Sequence, residues 1–86
     1  MMFRDYVSEI LHTEISNVIE KQGYLIELEF CNAVRDKYSL SIPTIRAALH
    51  GIYPELSLTK KRLSNELKSF YHIEIKGCPI IYFKNK

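Results

Sequence analysis

Over 4–22, 27–38 and 43–50 the apolar side chains return every three or four positions, a period that packed helices satisfy and strands do not. Tyr6/Val7, Ile10/Leu11, Ile15 and Val18/Ile19 form the first stripe, which predicts an amphipathic helix over 4–22. Gly23 follows where a left-handed residue ends a helix. Tyr24-Leu25-Ile26 has room for a connector or a single small strand. A second helix is expected over 27–38, with Leu28, Cys31, Val34 and Tyr38 inward. Its acidic entry (Glu27, Glu29) and basic exit (Arg35, Lys37) suit the helix macrodipole.

Ser39-Leu40-Ser41-Ile42 breaks the pattern. Ser41 reads as an N-cap, and Pro43 stands at the start of a third helix, where its missing N–H costs nothing. That helix is expected over 43–50, with Ile45, Ala48 and Leu49 inward and Gly51 as its stop. Pro54 makes 52–56 a loop. A fourth helix, capped by Ser57 or Thr59, is expected over 58–70, with Leu63, Leu67 and Phe70 inward and Lys60, Lys61, Arg62 and Lys68 outward. After His72 the period changes to alternation: Ile73 and Ile75, a Gly77-Cys78-Pro79 turn, then Ile80 to Phe83 running back as a β-hairpin. The fold class expected is α+β, mainly helical, with four helices and a C-terminal hairpin in one domain, 1–86.

A chain of 86 residues holds one small core, burying about 60–65% of the surface its unfolded form exposes. Its 47% hydrophobic and 26% charged residues exclude a disordered chain. Charge in Met1-Met2-Phe3-Arg4-Asp5 argues against a signal peptide. No apolar run reaches the roughly 18–20 residues of a membrane span, so the expected location is cytoplasmic. Cys31 and Cys78 stand far apart, and His12, His50 and His72 lack metal-ligand spacing, so neither a disulfide framework nor a metal site is expected. There is no Gly-rich phosphate loop and no nucleophile beside a base in sequence. The expectation is therefore no enzyme, no cofactor and no small-molecule ligand. Charge is uneven: residues 1–34 hold two basic and six acidic side chains, and residues 35–86 hold ten basic and four acidic. A basic C-terminal portion points to an anionic partner.

Residues 28–38, 39–42 and 43–50 have the lengths of a helix-turn-helix. Locking Cys31 and Val34 against Ile45, Ala48 and Leu49 leaves Ser41, Thr44, Arg46 and Ala47 outward at the leading end. Arginine is the side chain whose planar fork matches two acceptors on guanine.

"AVRDKYSLSIPTIRAALHGI", residues 33–52, resembles the helix-turn-helix of GntR-type bacterial repressors. There an Ala-rich helix ends near a Tyr, a Ser opens the turn, and Pro-Thr-(Val/Ile)-Arg-x-Ala-Leu begins the recognition helix. Tyr38, Ser41, Pro43, Thr44, Ile45, Arg46, Ala48 and Leu49 fall on that pattern. The turn glycine of that family is Ser39 or Leu40 here, and a further basic helix is expected between the motif and the hairpin. No effector-binding domain accompanies the motif, so ligand-controlled repression does not carry over.

A second frame competes. "LTKKRLSNELKSFYHIEIKGCPIIYFKN", residues 58–85, is similar to the last helix and wing of winged-helix domains, including those ending phage and plasmid primase-helicases. It implies that helix 58–70 reads the groove through Lys60, Lys61 and Arg62, with Lys76 near the tip of the wing. Both frames imply a winged helix-turn-helix that binds double-stranded DNA, as a transcription regulator or as an origin-binding module in DNA replication. Beyond DNA, the partner expectations are a homodimer through helix 4–22 or a larger replication or regulatory complex. The alternative is a protein-interaction module or inhibitor of the same fold.

Overall fold

A computed structural model describes residues 3–85. Met1, Met2 and Lys86, which entered the reading of the N-terminus and of the charge balance, lie outside them. The chain runs α1 (Phe3–Gln22), β1 (Tyr24–Ile26), α2 (Glu27–Tyr38), α3 (Ile42–Ile52), a 3-10 turn (Tyr53–Leu56), β2 (Leu58–Arg62), α4 (Asn65–Tyr71) and β3 (Ile80–Lys84). The fold is α+β and mainly helical, with a three-stranded antiparallel sheet in the order β1-β3-β2. Among the described residues no helix is long and apolar enough to cross a membrane.

The first half follows its apolar periodicity. Val7, Leu11 and Ile15 of α1 are buried with Cys31 and Val34 of α2 and Ile45 and Leu49 of α3. Gly23, at φ +85°, closes α1 by donating its N–H to the Ile19 carbonyl. Ser39 ends α2 at φ +58°, a left-handed residue in the turn where the resembled family keeps its glycine. Ser41 caps α3, its Oγ accepting from the Thr44 N–H at 3.3 Å. Two inward assignments on the first helices fail. Tyr6 is 47% exposed while its neighbour Val7 is buried, and Leu28 is 56% exposed. On α2 the core side is taken by Phe30, Cys31 and Val34, one position round from Leu28.

Gly51 does not stop α3. The helix continues to Ile52, whose side chain is buried in the core, and passes into the 3-10 turn, where Tyr53 packs on Tyr82 at 5.3 Å. The stop falls at Ser57, at φ +57°.

The second half corrects the sequence reading most. Residues 58–62 are a strand, not the start of a helix, and they pair with β3 from Leu58↔Lys84 to Arg62↔Ile80. The helix expected over 58–70 is only α4, seven residues capped by Ser64, whose Oγ accepts from the Leu67 N–H. Leu63 precedes it and is buried, whereas Phe70 is 68% exposed. Residues 72–79 form a loop, so the expected hairpin of 72–76 with 80–83 is absent. Instead β3 fills the gap between β1 and β2. Helical spacing of Leu63, Leu67 and Phe70 outweighed strand pairing in the sequence because the partner strand lies some twenty residues away.

Paired residues of an antiparallel sheet share a face, and alternate residues change face. Leu25, Leu58, Ile80 and Tyr82 meet the helices α1 to α3. Ile26, Ile81 and Phe83 face the other way, under Leu63, Leu67, Tyr71, Ile73 and Ile75. The segment 63–79 is thus a lid on the second face of the sheet, and β3 is buried on both sides.

Candidate nucleic-acid interface

β2 is an edge strand, and basic side chains on such an edge discourage pairing with another chain. Their directions matter more. Lys60 stands opposite Tyr82 and Arg62 opposite Ile80, so both point to the helical face of the sheet. Lys61 stands opposite Ile81 and points to the other face. The cationic run Lys60-Lys61-Arg62, contiguous on a helix surface in the sequence reading, is divided by the strand pleat.

On the helical face Lys60 of β2 reaches the side chain of His50 on α3. Arg46 and His50, one turn apart on α3, are exposed. Glu27, at the first position of α2, lies beneath them with its side chain 12% exposed. Its Oε1 accepts from the Tyr82 hydroxyl at 2.7 Å and lies 2.8 Å from His50 Nε2. Arg46 Nε stands 3.8 Å from Oε2. Lys60 Nζ approaches from β2 to 3.4 Å of His50 Nε2 and 6.0 Å of the Tyr53 ring centroid. Burial alone would raise the Glu27 carboxyl. The hydrogen bonds from Tyr82 and His50, with the charges of His50 and Arg46, outweigh it and hold the group below its ordinary value. Glu27 is therefore an ionised internal anchor. Burial, followed by the bond to Glu27, pushes the Tyr82 phenol upward, so Tyr82 stays a donor.

Of the residues expected to touch DNA, Arg46 and Lys60 come together around His50. Ser41 and Thr44 occupy each other: their hydroxyls lie 2.7 Å apart, and Ser41 Oγ caps α3 by accepting from the Thr44 N–H. Arg62 donates to the Cys78 carbonyl at 3.2 Å, pinning the end of the lid to β2. Lys76 is exposed in the loop 72–79, not at the tip of a hairpin. Lys61 stands apart on the opposite face. Sequence reasoning missed Glu27, His50 and Tyr82. The Arg46-to-His50 spacing of four was a legible signal; Tyr82 and Glu27, far apart in sequence, offered none.

A second polar cluster joins α1 to α2. Glu14 accepts from Tyr38 at 2.8 Å and from Lys37 at 3.1 Å. It fastens the helix that precedes the turn and leaves the α3 face alone. Among the described residues no group of three His, Cys, Asp or Glu side chains could hold a metal ion.

No family model matches the chain. No solved structure matches it. Among curated proteins it is similar to Toxin A of Clostridium novyi, 32% identical over 87 aligned residues. That alignment takes in 84% of this chain and 4% of the toxin, so the chain corresponds to a short stretch of a far longer protein.

Proposed function

We propose that the chain is a non-catalytic domain that binds double-stranded DNA, acting in the cytoplasm as a phage- or plasmid-type regulator or an origin-binding module. The observation that carries this reading is the meeting of α3 and β2 side chains, where Arg46, His50 and Lys60 come together above Glu27. The arrangement supports it too. Helix, strand, two helices joined by a three-residue turn, and then two strands is the order of a winged helix-turn-helix, with α3 in the position of the reading helix. The segment 63–79 takes the position of an enlarged wing. The frame that put a reading helix over 58–70 has no such helix to use. Arg46 is the base-reading residue of this proposal, and Lys60 and Arg62 contact phosphate.

A labelled mixed-sequence duplex titrated at several salt concentrations tests the proposal. Log affinity should fall linearly with log salt, each phosphate contact adding about 0.9 to the slope. Replacing Lys60 and Arg62 together by Ala should flatten that slope by about 2. No binding at low salt would transfer the assignment to a protein-interaction module. Phe70 and Leu28, large apolar side chains that are 68% and 56% exposed, favour that second reading.

A further inference from the structure

His50 Nε2 faces two groups that make incompatible demands. Glu27 Oε1, 2.8 Å away, belongs to an ionised carboxylate and can only accept. Lys60 Nζ, 3.4 Å away, belongs to an ammonium and can only donate. One ring nitrogen cannot donate to the first and accept from the second. The shorter, charge-assisted bond decides: Nε2 keeps the proton and donates a hydrogen bond to Glu27. Lys60 is then left with a donor aimed at another donor, and among the described residues it forms no ion pair with a carboxylate.

The remaining groups complete the setting. Arg46 turns Nε toward Glu27 at 3.8 Å, which leaves the terminal nitrogens of an exposed guanidinium for another acceptor. The groups around His50 are Glu27 from α2, Arg46 from its own helix, Lys60 from β2, Tyr53 from the 3-10 turn, and Tyr82 from β3 acting through Glu27. With Nε2 committed, the proton gained or lost by His50 is the one on Nδ1. An imidazolium there, beside Lys60 and Arg46, places three cations above a single carboxylate. That crowding is relieved by an anion bound from outside.

We propose that Lys60 and His50, beside the Arg46 guanidinium, form a site for a phosphate oxyanion whose occupation draws a proton onto His50. Resting on the DNA-binding reading, the anion is a backbone phosphodiester, and duplex binding takes up one proton. The four-residue step from Arg46 to His50 puts a base reader and a phosphate clamp on one strip of α3, with Glu27 fixing the orientation of both.

The experiment measures duplex affinity at constant low salt across about pH 5 to pH 8, where an imidazole titrates. It also follows the His50 ring by NMR in the free protein and with inorganic phosphate. Affinity should fall by up to about tenfold per pH unit as His50 loses its proton, and His50→Gln should flatten that dependence. Phosphate should shift the His50 titration upward, and Lys60→Met, which leaves the Glu27 bond intact, should weaken that shift. A duplex bound with the same pH slope in parent and His50→Gln overturns the inference and leaves the DNA reading standing. A phosphate-induced shift without duplex binding keeps the oxyanion site and overturns the DNA reading. The absence of both duplex binding and a phosphate-induced shift overturns both.

Discussion

At the residue scale, Arg46 carries the DNA reading with the least help from its neighbours. Its nearest carboxylate oxygen is beyond hydrogen-bond distance, so the head is steered by Glu27 and not consumed by it. Against a selected binding site, Arg46→Ala should cost about 1–3 kcal/mol and relax preference at one base pair. Folding should be untouched, because the side chain is exposed. Unchanged base preference would remove Arg46 as the reader. Ser41 and Thr44 illustrate the opposite case. Their hydroxyls answer each other, and Ser41 Oγ also accepts from the Thr44 N–H, so their value is to the helix and only indirectly to a partner. The two thiols divide in the same way. Cys31 is fully buried, and burial, reinforced by the nearby Glu27, pushes its thiol upward, whereas Cys78 is exposed.

At the scale of elements, the lid 63–79 is the part the sequence disguised. Leu63 is its deepest anchor, buried with Ile26, Ile73 and Ile81 on the far face of the sheet. Leu63→Ala should lower stability by about 2–5 kcal/mol, read as an earlier denaturant midpoint. The face formed by α3 and Lys60 contacts the other side of β3 and should keep its duplex affinity at temperatures where the variant is folded. The first three helices were legible because each satisfies its own period and carries its own punctuation: Gly23, Ser41 and Pro43 lie within a residue or two of what they terminate or start. β2 was not legible, since Leu58-Thr59-Lys60-Lys61-Arg62 alternates only weakly and becomes a strand through pairing with Ile80–Lys84. Gly51 misled for a related reason. The burial of Ile52 in the core outweighs the helix-stopping tendency of a glycine next to it. In the candidate site, Arg46 and Lys60 were visible as cations, but the carboxylate that organises them comes from the start of α2, nineteen positions before Arg46 and thirty-three before Lys60.

At the scale of the whole molecule, two carboxylates join the helices to their surroundings, Glu14 between α1 and α2 and Glu27 between α2, α3 and β3. In both, burial would raise the pKa. Hydrogen bonds from Tyr38 and Lys37 to Glu14, and from Tyr82 and His50 to Glu27, win and lower it from 4.5. A carboxyl lowered on folding contributes its full stability above the unfolded value and loses it as pH falls through the folded one. Thermal midpoints should therefore vary little with these groups near neutrality and drop below about pH 4.5, less steeply in Glu27→Gln. Equal acid sensitivity in parent and variant would show that Glu27 is not an anchor. The sheet order has a further consequence, which concerns time. β1 and β2 never touch; each is held only by β3, which follows both in the chain. While a ribosome has delivered residues through about 75, the three main helices have one another to pack against, but the two outer strands flank an empty lane. Tyr82 has not yet arrived to bond Glu27, and the cations of β2 have no fixed distance from α3. The side where β2 meets α3 through Lys60 and His50 is therefore assembled last, by a single strand sliding between two waiting edges, and a chain halted before Ile80 would hold a helical half without the face proposed to bind.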